Sequence, residues 1–210
     1  MAKEKLFYEA DNPGLHPEEV EFYEGSFQAE GEPHVIDPIK RAYVATTIFI
    51  ASEIMYFGAL ISAFLRIKRT LIEWPPEGLP AYPVIQTLFN TLFLLSSGVF
   101  NLIFDKKRKK IFFVLTWVFG AIFFILQGVE WIRLIKFGLT MTTHAYGSIF
   151  YLIVGSHAVH VIIGLIWFFV AFNLSQKRGV MKTPALESAS LFWKFVVLIW
   201  PVLYLLVYIL

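Results

Sequence analysis

No cysteine occurs among the 210 residues. That excludes a disulfide framework, a thiolate-held metal or iron–sulfur centre and a thiol nucleophile within this chain. Charge is scarce too: Asp, Glu, Lys and Arg make up 16% of the sequence and leave a net charge of +2. So small an excess, with no basic face interleaved with stacking aromatics, argues against nucleic acid as a partner. The first 40 residues are acidic and polar without an apolar core, so they do not read as a cleavable signal peptide. Nor does the sequence carry a Ser/His/Asp arrangement, a phosphate-cradling glycine loop or an internal repeat.

Apolar residues dominate instead. The chain is 57% hydrophobic and 18% aromatic, with a mean hydropathy of +0.64. Soluble domains lie nearer half apolar and a quarter charged, so lipid is the expected solvent. A polar tail, residues 1–41, precedes five apolar runs at about 42–65, 82–104, 111–135, 147–173 and 190–210. Each approaches or exceeds the ~20 residues a helix needs to cross the hydrocarbon layer. Backbone polar groups in lipid must pair within their own segment. The expected fold is therefore all-α: a polytopic membrane protein whose domain 42–210 is a bundle of five transmembrane helices. The prolines of "EWPPEGLPAYP" and "GVMKTP" fall between runs, where turns belong.

Loop charge sets the expected orientation. Lys40, Arg41, Lys106, Lys107, Arg108, Lys109, Lys110, Lys177, Arg178 and Lys182 lie on one side. Arg66, Lys68, Arg69, Arg133 and Lys136 lie on the other, which places the N-terminus inside and the C-terminus outside. Lys194, near the inner end of the last run, is expected to snorkel toward water. Trp74, Trp131, Trp193 and Trp200 lie near run ends, as interfacial anchors do.

A few polar residues break the apolar rule. Glu53 stands eleven residues beyond Ala42, about 16 Å along a helix and so near the bilayer centre. A carboxyl there is protonated, paired or turned to a polar interior, which leaves packing glue, a proton path and a lipid or partner contact all open. The small pairs Gly58/Ser62 and Ala59/Ala63 offer a close approach for another helix. His157 and His160, three apart, share one helical face that continues to Gly164. Such a pair suits a metal, with Glu130, His144 or Glu53 recruited to complete it. No Glu-x-x-His element and no inward histidine on another run is present, so imidazoles bonded to carbonyls or to neighbouring helices are the favoured reading. Glu130, close to the end of the third run, reads as an interfacial partner of Arg133.

These exceptions, taken in order, resemble one family: subunit III of the haem-copper terminal oxidases, in its short five-helix bacterial form. "SEIMYFGALISAF" resembles the family's intramembrane-glutamate helix. "WPPEG", "NTLFLLSSGV", "LQGVEW", "YGSIFY", "SHAVHVIIG" and "FWKFVVLIW" follow in the family's order. The resemblance implies a non-catalytic subunit of a respiratory oxidase, with no active site, haem, copper or other metal of its own. It implies packing beside the catalytic subunit I that holds haem and copper, with a donor-binding subunit II and small membrane subunits as further partners. Bound phospholipid, support of proton uptake and turnover stability, and residence in the bacterial cytoplasmic (inner) membrane are implied likewise. Cytochrome c is favoured over quinol as electron donor.

On the same resemblance, Glu53 is the family's buried carboxylate and the candidate for a proton path or lipid cleft. His157 and His160 become the signature pair of the fourth helix, and Glu130 and Tyr146 further signature polar residues. Tyr146, Gly147 and Ser148 are placed in the turn leading into that helix. The family usually has seven helices, and the first two have no counterpart here. Lys194 and Val197 replace the family's common histidine and acid, and Pro201 after Trp200 is expected to loosen the last helix. Two further readings stand beside this one: a stand-alone proton or ion transporter using Glu53 and the His157/His160 pair, and a metal-dependent membrane enzyme.

Overall fold

A computed structural model describes residues 37–70, 82–142 and 145–209. Residues 1–36 of the polar tail, the "EWPPEGLP" loop with Trp74, and His144 lie outside the described residues, and residues 38–41 of the tail already belong to the first helix. Five helices carry the described chain: α1 (Pro38–Thr70), α2 (Val84–Lys107), α3 (Lys110–Lys136), α4 (Ala145–Lys177) and α5 (Pro184–Tyr204). All five are long and apolar enough to cross a membrane, and the described residues contain no strand. The helices outrun the apolar stretches because their ends stay helical into charged sequence. At 33 residues each, α1 and α4 reach about 50 Å, well past the hydrocarbon layer.

The ends follow local chemistry. Arg108 takes a left-handed conformation (φ 50°) and closes α2 by donating its N–H to the Phe104 carbonyl. Gly138 (φ 89°) and Gly179 (φ 67°) supply the same hand after α3 and α4, where Leu139 and Val180 bond back to Leu134 and Ser175. Thr183 caps α5, its hydroxyl accepting from the Leu186 N–H, and Pro184 occupies the first turn. Pro201 does not end α5. The helix runs on to Tyr204, then widens into one π-helical turn, Leu205–Ile209.

α2 and α3 form an antiparallel hairpin, and α5 packs against α1, α2 and α4. Trp193 and Trp200 of α5 are fully buried, contrary to the expected interfacial role. Their indole N–H groups find partners inside the bundle, Ser97 Oγ at 3.0 Å and Thr91 Oγ1 at 2.9 Å. Glycines make room for α5. A Cβ on Gly120 or Gly164 would fall 2.6 or 2.9 Å from the Trp193 ring, and one on Gly98 would fall 2.7 Å from Val197. The small residues of α1 do not act this way: Gly58, Ala59, Ser62 and Ala63 are exposed, and a Cβ on Gly58 would meet no other atom of the described chain.

Candidate functional site

Among the described residues, three polar centres interrupt the apolar packing. The first joins α1 to α4. Glu53 Oε2 lies 2.9 Å from His160 Nε2, and His160 Nδ1 lies 2.7 Å from the Ser156 carbonyl oxygen, one turn earlier in α4. The Ser156 hydroxyl donates to the Leu152 carbonyl at 2.6 Å, so at 2.8 Å Tyr56 of α1 is the donor to Ser156 Oγ. The two side chains are largely covered, His160 14% and Glu53 17% exposed. Phe57 lies beside them, its ring 5.2 Å from that of His160, and Phe192 of α5 approaches the imidazole at 6.2 Å.

His157 shares that helix face but not that chemistry. It is fully buried, and neither ring nitrogen has a hydrogen-bond partner. Its ring stacks on Trp200 at 4.7 Å and meets the edges of Phe57 and Phe123. The sequence suggested two bonded imidazoles, and the structure bonds only His160. The reason is geometric: a three-residue step turns the side chain by about 60° relative to its neighbour, which carries His157 off Glu53 and among the rings of Phe57, Phe123 and Trp200. A cavity of about 60 Å³ opens beside it, walled by Phe123, Gln127, Trp131, Val154 and Trp200.

The second centre joins α2, α3 and the end of α5. Glu130 is 4% exposed and is not the interfacial partner of Arg133 that its position suggested. The Thr87 hydroxyl and the Gln127 amide both lie 3.0 Å from Glu130 Oε2, and Gln127 also donates to the Tyr208 hydroxyl at 3.3 Å. Glu130 points inward because α3 packs this face on α2. Thr87, Gln127 and Tyr208 were not singled out from sequence. The one available signal was the spacing of Gln127 from Glu130, which puts both on a single helix face.

The third centre lies where α2 ends and α5 begins. Asp105 accepts from Ser190 at 2.8 and 3.0 Å and forms an ion pair with Lys194. Arg108 reaches Glu187 at 2.5 Å and the Met181 carbonyl at 3.4 Å, while Tyr43 of α1 donates to Glu187 Oε2 at 2.7 Å. Lys194 therefore has a counter-ion within the bundle and does not simply snorkel. Neither acid was singled out from sequence, since both sit beside basic loops that mask them.

Tyr146 stands apart from all three centres. It is buried in the first turn of α4, not in a preceding turn, with its ring stacked on Tyr82 at 4.7 Å. The adjacent Gly147 is required by space: a Cβ there would fall 2.3 Å from the Thr140 carbonyl oxygen. Among the described residues no three His, Asp or Glu side chains converge as a metal site.

The family profile described as cytochrome c oxidase subunit III matches residues 21–210. The chain belongs to that family. Among its relatives, the probable cytochrome c oxidase subunit 3 of Mycobacterium leprae is 32% identical over 188 residues, covering 83% of this chain and 91% of the relative. The subunit 3 of Bacillus sp. (strain PS3) is 29% identical and spans 92% of this chain and 97% of its own length. That of the fungus Schizophyllum commune is 32% identical over 203 residues, 72% of its length. Membership and five membrane-type helices together make the chain a multi-pass membrane protein and a subunit of a respiratory multi-subunit oxidase complex.

Proposed function

We propose that this chain packs beside the haem- and copper-bearing catalytic subunit I of a cytochrome c oxidase, with the donor-binding subunit II and small membrane subunits nearby. There it binds phospholipid and supports proton uptake and turnover stability during oxygen reduction. The observation that carries the proton role is the Glu53–His160 pair. It keeps a carboxyl and an imidazole in hydrogen-bond contact within the membrane-spanning part of the bundle, where an isolated charge costs several kcal/mol. Haem and copper belong on this reading to the partner subunits. The preference for cytochrome c over quinol rests on the relatives, which are named as cytochrome c oxidase subunits. The loop charges favour an inside N-terminus in the bacterial inner membrane.

The first test is a gentle-detergent pull-down of the tagged chain, read by haem absorbance and by the identity of the captured chains. Haem-bearing partners with an oxygen-reducing subunit are expected. A colourless five-helix protein that carries protons in liposomes by itself would overturn the reading in favour of a stand-alone transporter. In the assembled complex, Glu53→Gln is expected to leave assembly intact and to shorten the number of turnovers before inactivation. Failure of that variant to assemble would make Glu53 chiefly structural.

A further inference from the structure

We propose that Glu53 and His160 form one proton-binding unit holding a single proton between Oε2 and Nε2, and that loss of this proton releases α1 from α4 at that height. The inference rests on the proton role given above to Glu53 and specifies how the site would discharge it.

Hydrogen-bond stereochemistry leaves few alternatives. The Ser156 carbonyl oxygen can only accept, so His160 Nδ1, 2.7 Å away, carries hydrogen. A neutral imidazole has one N–H, which makes Nε2 an acceptor. A carboxylate oxygen is also an acceptor, and two acceptors do not bond at 2.9 Å. One proton therefore lies between them, either on Oε2 facing a neutral ring or on Nε2 facing a carboxylate. Both arrangements have zero net charge, the condition that a low-dielectric surrounding favours.

The neighbours do not supply a competing charge. Of the helices packed on α1, α4 brings His157, whose ring is stacked on Trp200, and Ser156, which is satisfied by Tyr56 and Leu152. α5 brings Phe192 to the imidazole, while its ionisable Glu187 and Lys194 are engaged by Arg108 and Asp105. On α1 itself, Tyr56 is one turn away and donates to Ser156.

Gain and loss of a proton are then unequal in effect. A second proton gives an imidazolium N–H facing the carbonyl oxygen of a neutral carboxyl, and the contact survives. Removal of the shared proton sets a carboxylate against a lone pair, and the contact opens. The ring does not turn to rescue it, because its Nδ1–H is held by its own helix at Ser156. Tyr56–Ser156 is then the nearest polar link between the two helices.

The test uses the purified oxidase complex containing this chain, with isotope-labelled histidine, followed by infrared spectroscopy across pH. Glu53 and His160 signals, assigned by their loss in Glu53→Gln and His160→Gln, are expected to change together in a single step. Each substitution is expected to move the partner's step to a different pH. Spin labels at Met55→Cys and Val159→Cys, both exposed, are expected to separate through that step in the otherwise native chain. They should stay together in Glu53→Gln, whose amide donates to Nε2 of the neutral ring and accepts from the protonated one. Separate titrations of the two groups, a Glu53 step unchanged by His160→Gln, or labels that do not separate would overturn the inference. Should His160→Gln fail to assemble, Glu53→Gln alone decides, since a His160 step left at its native pH refutes the shared proton. Haem content reports on the oxidase reading independently: a haem-loaded complex with uncoupled titrations sinks this inference and leaves that reading standing.

Discussion

Trp193 of α5 donates its indole N–H to Ser97 of α2 across 3.0 Å while its ring fills the space left by Gly120 on α3 and Gly164 on α4. One side chain thus fixes the approach of three helices to a fourth. The hydrogen bond prevents the ring from retreating, so the glycines have no slack.

Gly120→Ala is expected to destabilise the bundle by about 1–3 kcal/mol, because its Cβ would fall 2.6 Å from Trp193 and the ring cannot shift freely. A lower midpoint of thermal inactivation for the purified complex checks this. Gly58→Ala, where the added methyl meets no atom of the described chain, is the control and should leave the midpoint of the isolated subunit unchanged.

Asp105 and Lys194 form a pair that is only partly covered, 18% and 27% exposed. Breaking it from the acid side leaves Lys194 without its counter-ion, while Glu187 stays committed to Arg108. Asp105→Asn is expected to cost about 1–3 kcal/mol, below the figure for a fully buried pair because water reaches both groups. Adding Lys194→Met should recover part of that loss, and a double-mutant cycle measures the coupling. Strict additivity of the two changes would show that the pair contributes nothing.

The two histidines should respond in opposite ways to phenylalanine. His157→Phe removes two unpartnered buried nitrogens and keeps a ring on Trp200, so stability is expected to stay level or rise by up to about 1 kcal/mol. His160→Phe strands Glu53 and is expected to cost about 1–3 kcal/mol. Thermal midpoints of the two variants, measured side by side, decide it. A large loss in His157→Phe would reveal a partner for its nitrogens in the assembled complex.

Glu130→Gln keeps an acceptor for Thr87 and Gln127 and nearly the same volume, so it is expected to change stability by less than about 1 kcal/mol. Glu130→Ala removes both hydrogen bonds and opens a void, at about 2–4 kcal/mol. Equal losses in the two variants would show that the carboxylate charge itself is needed, giving this centre more than a packing role.

The number and type of elements were legible in the linear sequence, because insertion into lipid depends on the summed hydrophobicity of about 20 consecutive residues and on nothing distant. The presence of Glu53, His160 and Glu130 in apolar surroundings was legible for the same reason. Their partners were not. Helices apolar on every side, as α3 and α4 nearly are, carry no amphipathic stripe to say which face turns inward. Glu130 on α3 accordingly looked interfacial and is internal; Trp193 and Trp200, placed only by their nearness to a run end, looked like interfacial anchors and are core, and the small residues of α1 face outward. Side-chain packing alone set the rotation of each helix about its axis. That rotation decided that Glu53 meets His160, that His157 meets only aromatic rings, and that Lys194 finds Asp105.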